Sequence, residues 1–360
     1  MQPLLTLDRV NRRFGDVTAL RGVSFSVPRG AYVSLLGPSG AGKTTLLRVI
    51  AGFERPDAGE IVFDGRRIDT MTAHRRGIGF VFQNFALFPH LSVEKNIAYG
   101  LLNRDGGAKT DRLTIEAKVR AMIALVGLDG LETRDVHQIS GGQRQRVALA
   151  RTLVTEPQLV LLDEPLGALD ANLRARMRDE LRGLHERLGI TFLHVTGSEA
   201  EALSMGDTMI VLDAGEIAQM APPSAIYNQP VSPRVARFLN CYNIFEGKIQ
   251  GHEFVGAAGR FALHPVGSPT SADPAATYAI RQDRIAVRPS DAPISADETG
   301  FPATFVATEY SGSSVLSLFA TDSGQVVEVE AHLSLRPPPN YAQKQRYGLV
   351  WNPLDALVFA

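Results

Sequence analysis

Short apolar runs alternate with longer amphipathic stretches over the first 212 residues. SLLG (34–37), FVFQ (80–83), LVLLD (159–163) and TFLHVT (191–196) have the length of buried strands, whereas residues 44–51 and 115–126 show helical spacing. Strands that alternate with helices are typical of an α/β domain. Between about residues 84 and 156 helical periodicity replaces the strand pattern, which predicts a helical subdomain within that domain.

The pattern changes after residue 235. From about residue 244 onward the chain contains short β-type runs separated by Gly, Pro, Asp and Ser, among them YAIRQ, RIAVRP, ATFVATEY, SVLSLFA and QVVEVE. Their number and spacing predict a small all-β barrel of the OB type. We therefore predict an α/β domain over residues 1–235 and an all-β barrel domain over residues 236–360.

Composition limits the classes of function. The 360 residues are 44% hydrophobic, and 37 basic against 38 acidic side chains give no reason to expect a nucleic-acid partner. The single cysteine, Cys241, excludes an internal disulfide bond. The N-terminal residues lack the apolar core of a secretory signal, and the longest apolar runs are far shorter than the roughly 20 residues that span a bilayer. Transport across a membrane would therefore require other chains.

A phosphate-binding loop is predicted at GPSGAGKT, residues 37–44, which lies between a predicted strand and a predicted helix. Its glycines let successive N–H groups turn toward a phosphate at a helix N-terminus, Lys43 adds a charge for the β- and γ-phosphates, and the Thr44 hydroxyl suits Mg²⁺. The alternative interpretation is a glycine-rich turn with an incidental Lys-Thr. The predicted nucleotide-binding residues here are Gly37, Pro38, Ser39, Gly40, Ala41, Gly42, Lys43, Thr44 and Thr45.

Two carboxylates follow the apolar strand LVLLD. Successive strand residues face opposite sides, so Asp163 and Glu164 can have different roles. Asp163 can hold hydrated Mg²⁺, and Glu164 can orient and polarise an attacking water as a general base. Acidic residues also commonly close a strand before a turn, and Pro165 supports that alternative. The nearby phosphate loop favours the catalytic interpretation.

A second glycine-rich sequence, ISGGQRQRVALAR, occupies residues 139–151. Ser140, Gly141 and Gly142 precede a helix predicted to begin near Gln143, which would provide a second anion-binding helix start. One chain cannot bring both helix starts to the same ATP molecule. The alternative is an ordinary glycine loop in which Ser140 caps the helix.

This sequence resembles the signature of the ABC ATPases, and the order of the three motifs is that of the family. The resemblance covers almost the whole chain. It implies the fold of a phosphate-loop ABC ATPase that takes ATP and Mg²⁺. It also implies a head-to-tail dimer, in which the phosphate loop of one subunit and Ser140, Gly141, Gly142 and Gln143 of the other enclose each nucleotide.

Three further positions match the family. Phe14, in RRFGDVTAL, resembles the aromatic residue that stacks on adenine, although a lone Phe is more often part of a core. Gln83 resembles the glutamine that contacts Mg²⁺ and water and relays movement to the membrane subunits. Asp170 closes LGALD, residues 166–170, which matches the loop that crosses the dimer interface.

The C-terminal segments NIFEG and AIRQDRIAVRP resemble the TOBE domain of importer ATPases, and NFALFPHLSVEKNIAYGL is similar to the maltose, polyamine and ferric-iron types. The resemblance implies a peripheral subunit on the cytoplasmic face of the inner membrane. It also implies two transmembrane permease subunits and, indirectly, a solute-binding protein as partners. The likeness of FLNCYNIFEG to the polyamine and iron type favours spermidine or putrescine as the solute. The alternative for the TOBE-like domain is an appendage that stabilises the dimer and binds no ligand.

One position departs from the family pattern. After TFLHV the family usually has Thr-His-Asp, and its histidine contacts the γ-phosphate, whereas this chain has Thr196, Gly197 and Ser198. His194 lies three residues upstream on the opposite face of the predicted strand, which favours a packing role. Two hypotheses follow. Either Glu164 and Mg²⁺ support hydrolysis without the histidine, or the chain binds ATP and scarcely hydrolyses it, as a structural or regulatory subunit.

Overall fold

The computed structural model describes residues 2–103, 111–167, 169–263, 275–334 and 340–360. These residues divide into two compact units, one ending at Asn228 and the other beginning at Gln229. The sequence pattern predicts a domain boundary between residues 235 and 236, and that assignment stays a prediction. Among the described residues, no helix is both long and apolar enough to cross a membrane.

The first unit contains ten strands and seven α-helices within the described ranges. The strands are β1 (Leu5–Phe14), β2 (Val17–Val27), β3 (Tyr32–Leu36), β4 (Ala58–Phe63), β5 (Arg66–Arg67), β6 (Gly79–Val81), β7 (Leu159–Asp163), β8 (Thr191–Thr196), β9 (Thr208–Asp213) and β10 (Glu216–Ala221). The helices are α1 (Lys43–Ala51), α2 (Val93–Leu102), α3 (Arg112–Leu125), α4 (Gly141–Leu153), α5 (Ala171–Leu188), α6 (Glu199–Met205) and α7 (Pro223–Asn228).

Two sheets organise this unit. The first is antiparallel with the order β2-β1-β4-β5, and the second has the order β10-β9-β3-β8-β7-β6. In the second sheet β6, β7, β8, β3 and β9 are parallel, and β10 joins antiparallel at the edge. Every residue of β3, β7 and β8 is buried, as expected for central strands covered on both faces.

Alternate residues of β7 enter different cores. Leu159 and Leu161 pack in the cluster that includes α1, whereas Val160 and Leu162 pack in the cluster that includes α2, α3 and α4. This alternation places Asp163 on the side of α1. The predicted helical subdomain is confirmed in its type, since α2, α3 and α4 share one apolar core through Ile97, Ile123 and Leu149.

The sequence patterns predict two helix starts too late. The signature helix is predicted to begin near Gln143, but α4 begins at Gly141. The second helix is predicted from residue 115, but α3 begins at Arg112 because the Asp111 carboxylate accepts a hydrogen bond from Thr114 N at 2.9 Å. In both cases a capping residue that precedes the apolar pattern sets the start.

The second unit begins with the short helix α8 (Pro233–Phe238) and continues with strands in its described residues. They are β11 (Tyr242–Gln250), β12 (Glu253–Gly256), β13 (Gly259–Ala262), β14 (Ala275–Arg281), β15 (Ala286–Pro289), β16 (Thr299–Tyr310), β17 (Ser314–Ala320), β18 (Val326–His332), β19 (Arg346–Trp351) and β20 (Ala356–Phe359). They form two antiparallel sheets, β13-β12-β11-β14-β20 and β15-β19-β16-β17-β18, around an aromatic core that includes Phe261 and Phe301. The predicted all-β class of this region is confirmed.

Candidate functional site

The phosphate loop connects the end of β3 to the start of α1. Gly42 is the N-cap of α1 and has a φ of 100°, and a Cβ placed there would lie 2.5 Å from the carbonyl oxygen of Ala19. A Cβ at Gly37 would lie 2.2 Å from the carbonyl oxygen of Leu212. Larger residues at these two positions would displace backbone, which explains why the loop requires glycine there.

Lys43 folds back over this loop. Its Nζ donates hydrogen bonds to the carbonyl oxygens of Gly37 at 2.8 Å and Pro38 at 3.0 Å. Burial lowers the pKa of Lys43, and the nearby carboxylates of Glu164 and Asp163 act in the opposite direction. The ammonium group is thus held at the loop, where an anionic ligand would offset its loss of hydration.

Asp163 and Thr44 meet on the α1 side of β7. Thr44 Oγ1 donates to Asp163 Oδ1 at 3.2 Å, although the two residues are 119 positions apart in the sequence. Burial raises the pKa of Asp163, and the hydrogen bond from Thr44 opposes this effect. A hydroxyl oxygen beside a carboxylate oxygen next to a phosphate loop is a donor set that suits Mg²⁺.

Glu164 lies beside the same loop. Its Oε1 is 4.0 Å from Lys43 Nζ, and its Oε2 accepts a hydrogen bond from Gln83 Nε2 at 3.0 Å. The residue has a φ of 45°, a conformation that non-glycine residues rarely adopt. Its N–H donates to Val195 O at 3.0 Å, which ties it to the end of β8. The structure therefore brings Lys43, Thr44, Gln83, Asp163 and Glu164 together.

Phe14 ends β1 at the turn into β2, and 44% of its surface is exposed. The guanidinium carbon of Arg12 lies 4.5 Å from the centroid of its ring. Arg12 is held there by Glu54 Oε2 at 2.8 Å and Asp57 Oδ1 at 3.0 Å. An exposed aromatic ring with a cation on one face is suited to stacking on its other face. The apolar pattern gave no indication of Arg12, since it lies on a polar strand end.

The signature residues form a complete capping box at the start of α4. Gln143 N donates to Ser140 Oγ at 3.3 Å, and Ser140 N donates to Gln143 Oε1 at 2.8 Å. A Cβ at Gly142 would lie 3.1 Å from a methyl carbon of Leu173 in α5. One at Gly141 would lie 3.9 Å from Leu169. This helix start therefore adjoins the loop after β7 and not only its own helix.

Asp170 is the N-cap of α5, and its carboxylate accepts a hydrogen bond from Leu173 N at 3.0 Å. It closes the loop 166–170 predicted to cross the dimer interface. Ala168 of that loop lies outside the described residues. Asp170 lies near the signature helix α4 because the helix that it caps, α5, packs against Gly142.

The position of the expected histidine follows β8. Within the described part of the chain, no heavy atom lies within 4 Å of a Cβ placed on Gly197. His194 is fully buried, and its Nδ1 lies 2.9 Å from the hydroxyl of Tyr32. Burial lowers the pKa of His194 to about 3, so the ring is neutral at physiological pH. Because the His194 ring is buried in β8 and neutral, it does not replace the histidine that the family has at position 197.

Arg151 supports the segment beside the site, and none of the sequence motifs predicts this contact. Its guanidinium donates to the carbonyl oxygens of Ala86 at 2.7 Å and Phe85 at 2.9 Å, and it lies 5.6 Å from the ring centroid of Phe88. It therefore fastens the segment that follows Gln83. Arg151 is the last residue of the signature segment 139–151, which is a sequence signal for its importance. Its partners are some 65 residues away in the sequence, so the segment does not predict the contact.

Comparison with known proteins agrees with this geometry. The family model "ABC transporter" matches residues 20–167, and the model "TOBE domain" matches residues 278–359. The sulfate/thiosulfate import ATP-binding protein of Burkholderia mallei is 42% identical over 331 residues, which are 91% of each chain. The spermidine/putrescine import ATP-binding protein of Bacteroides thetaiotaomicron is 48% identical over 244 residues, which are 68% of this chain and 52% of that protein.

Solved structures show the same fold in the first unit. A dimeric ATP-binding cassette in a post-hydrolysis state with ADP and phosphate matches with a TM-score of 0.54 and 30% identity, over 61% of this chain and 98% of that one. A nucleotide-free cassette from an ABC transporter matches with a TM-score of 0.58 and 26% identity, over 66% and 98%. This chain accordingly belongs to the ABC transporter family, as an importer-type ATPase subunit with a C-terminal TOBE domain, and its hydrolysis of ATP is coupled to transport.

Proposed function

We propose that Glu164 is the general base for ATP hydrolysis at a nucleotide site shared by two copies of this chain. The position of its carboxylate carries the proposal, since it lies 4.0 Å from Lys43 Nζ and 3.0 Å from Gln83 Nε2. A water molecule between Glu164 and the γ-phosphate would give a proton to the carboxylate as its oxygen bonds to the γ-phosphorus, while the bond from that phosphorus to the β,γ-bridging oxygen breaks and ADP leaves. A subunit without hydrolytic function would have no chemical need for this group.

Each remaining residue has a part in that step. The phosphate loop binds the nucleotide through its backbone N–H groups, and Lys43 stabilises negative charge on the β- and γ-phosphates. Phe14 stacks on adenine with Arg12 behind its ring. Thr44, Asp163 and Gln83 would hold Mg²⁺. When bound, the ion neutralises charge on the phosphate oxygens.

The signature residues complete the site from the partner copy. Ser140, Gly141, Gly142 and Gln143 contact the γ-phosphate of the nucleotide bound by the other subunit, and Asp170 lies at the interface. The solved dimeric cassette supports this arrangement for a related protein. Two permease subunits receive the movement through the segment after Gln83, at the cytoplasmic face of the inner membrane. A solute-binding protein delivers the cargo to them.

The proposed cargo is spermidine or putrescine, supported by the 48% identity to a spermidine/putrescine import protein. Sulfate or thiosulfate is the second candidate, because the match to that relative extends over 91% of this chain. Uptake of labelled spermidine and labelled thiosulfate by cells with and without the gene separates the two. We expect deletion to lower spermidine uptake. Loss of thiosulfate uptake alone would assign the cargo to the second class.

A nucleotide-binding subunit that scarcely hydrolyses ATP is a second candidate function. The observation that favours it is Gly197, which provides no side chain where the family has a histidine. Phosphoryl transfer depends mostly on positioning and charge, and loss of one donor costs about 10² to 10³ in rate. The intact Glu164 beside Lys43 favours hydrolysis.

Steady-state ATP turnover by the purified chain tests both candidates. We expect Glu164→Gln to lower kcat by about 10² to 10⁴, as removal of a general base does, with little effect on ATP binding. Glu186→Gln is the matched control, because Glu186 is an exposed carboxylate paired with Arg182 on α5. Turnover in the parent equal to that of Glu164→Gln, together with a gain in Gly197→His, would establish the second candidate instead.

A further inference from the structure

Two loops adjoin Glu164. One comprises residues 166–170 after β7, of which 166, 167, 169 and 170 are described, and the other comprises residues 196–198, which begin with the last residue of β8. A Cβ placed on Gly167 would lie 3.9 Å from Glu164 Oε2, and Glu164 N–H donates to Val195 at the end of β8. A displacement of either loop would therefore change the surroundings of the proposed base.

Arg174, in the first turn of α5, holds the first loop. Its Nη2 donates to the carbonyl oxygen of Leu169 at 2.9 Å, and its Nε donates to that of Leu166 at 3.4 Å. Both acceptors are backbone atoms, so these hydrogen bonds hold Leu166 and Leu169 independently of the side chains of those two residues.

Glu201, in α6, holds the second loop. The residue is only 5% exposed, and its Oε2 accepts a hydrogen bond from Thr196 Oγ1 at 2.6 Å. Thr196 Oγ1 in turn accepts from Ser198 N at 2.9 Å. The two residues that flank Gly197 are therefore anchored to this one carboxylate. Gly197 itself has no side chain with which to anchor the loop.

The two anchors are joined. Arg174 Nε lies 3.7 Å from Glu201 Oε1, so the same guanidinium that binds the first loop pairs with the carboxylate that binds the second. A buried carboxylate without a partner is strongly unfavourable, so each member of such a pair fixes the position of the other. His194 Nε2, at 4.0 Å from Glu201 Oε2, carries a neutral ring and adds no charge to the pair.

We infer that Arg174 and Glu201 are positioning residues that couple the loop 166–170 to the loop 196–198 and hold both against Glu164. Neither residue belongs to the set proposed to bind the nucleotide. The pair acts through backbone and hydroxyl groups of the two loops, and it gives the loop around Gly197 a fixed position without a histidine. The catalytic consequence rests on the proposed hydrolysis, whereas the coupling of the loops does not.

Hydrogen exchange of backbone amides tests the coupling without reference to hydrolysis. Arg174→Gln touches the loop 166–170 directly, yet we expect exchange at Gly197 and Ser198 to accelerate by roughly tenfold because Glu201 loses its partner. Glu201→Gln is expected to accelerate exchange at Leu169 in the same way. If each variant changes only the loop that its own side chain contacts, the two loops are not coupled and the inference is wrong.

Arg178→Gln is the matched control. Arg178 lies one turn further along α5, its side chain is about as exposed as that of Arg174, and its Nε is also 3.7 Å from a carboxylate oxygen, that of the exposed Asp179. Its substitution is expected to leave exchange in both loops at the parental rate. A change in both loops on Arg178→Gln would indicate a general loosening of α5 and would overturn the specific role of Arg174.

Turnover measures the consequence for catalysis. We expect Arg174→Gln to lower kcat by roughly 10- to 100-fold, as misplacement of catalytic groups does, while the KM for ATP stays within about twofold. We expect the double variant, Arg174→Gln with Glu201→Gln, to turn over ATP no more slowly than the slower of the two single variants. Arg174→Lys is expected to retain more activity than Arg174→Gln. Unchanged kcat, or losses that multiply in the double variant, would contradict the inference. Parental turnover no higher than that of Glu164→Gln would instead reject the proposed role of Glu164, and the exchange data would still decide the coupling.

Discussion

The helices α1 and α4 both begin after a glycine-rich loop, but their first turns differ. The N-cap of α1 is Gly42, which has no side chain, whereas the N-cap of α4 is Ser140 in a reciprocal capping box with Gln143. The first N–H groups of a helix have no partner within it. The start of α1 leaves these groups to a ligand, whereas α4 satisfies two of them with its own side chains.

The two glycine-rich helix starts are therefore suited to different roles. The phosphate loop is arranged to receive an anion in a single subunit, and Lys43 is already hydrogen-bonded over it. The start of α4 satisfies two of its N–H groups without a ligand, so a nucleotide from the partner copy that used the N–H of Gln143 would have to exchange with the Ser140 cap. A site that is closed until the dimer forms would follow from such an exchange.

The largest expected effect comes from the glycine that caps α1. Gly42→Ala places a Cβ 2.5 Å from a backbone oxygen of β2 at a φ of 100°. Left-handed backbone costs a non-glycine residue roughly 1 to 2 kcal/mol, and overpacking adds about 1 to 3 kcal/mol. We therefore expect the first unit to lose about 2 to 5 kcal/mol of unfolding free energy.

The matched substitution in α4 shows whether the stability loss of Gly42→Ala comes from strain in the phosphate loop or from replacing any glycine at a helix start. Gly142→Ala meets only side-chain carbons of Leu173, at 3.1 and 3.2 Å, which can move. We expect it to change the unfolding free energy by less than about 1 kcal/mol, because alanine also favours helix. Far-UV circular dichroism follows the first unit, which holds α1 to α7, while fluorescence of Trp351 follows the second. Equal losses in the two variants would remove the distinction between the two helix starts.

A smaller effect is expected at the cap of α4. Ser140→Ala removes the acceptor for Gln143 N, and loss of such a cap costs about 1 kcal/mol. We also expect it to lower ATP turnover, because the proposed contact with the partner's nucleotide is lost. Ser92→Ala is the control, since Ser92 caps α2 through Lys95 N at a similar distance, 3.4 Å. Similar stability losses with a turnover defect only in Ser140→Ala would support the proposed role, whereas equal turnover would refute it.

Much of the fold was predictable from the sequence, because its elements depend on local patterns. Buried strands such as β7 and β8 were visible as continuous apolar runs, and the helical subdomain was visible as a change of period. The starts of α3 and α4 were misplaced, since their caps are polar residues outside the apolar pattern. The site was predictable where residues are neighbours in the sequence, as in the phosphate loop.

The supporting residues were not predictable in the same way. Arg12, Arg151 and Arg174 act on residues that are distant in the sequence or on backbone carbonyl groups, and no spacing rule marks such partners. An arginine at any of these positions is equally compatible with an exposed surface. Only the path of the chain reveals that each one fixes a part of the site.

The sequence by itself determined the class of the two units, the phosphate loop, the two carboxylates after β7 and the absence of histidine at position 197. These features depend on residues within one turn or one strand. The tertiary structure decided that Gln83, 81 positions from Glu164, reaches its carboxylate, and that Thr44 meets Asp163 across 119 positions. The physical reason is the strand order β6-β7-β8-β3, which aligns the carboxyl ends of separate parallel strands at one edge of the sheet.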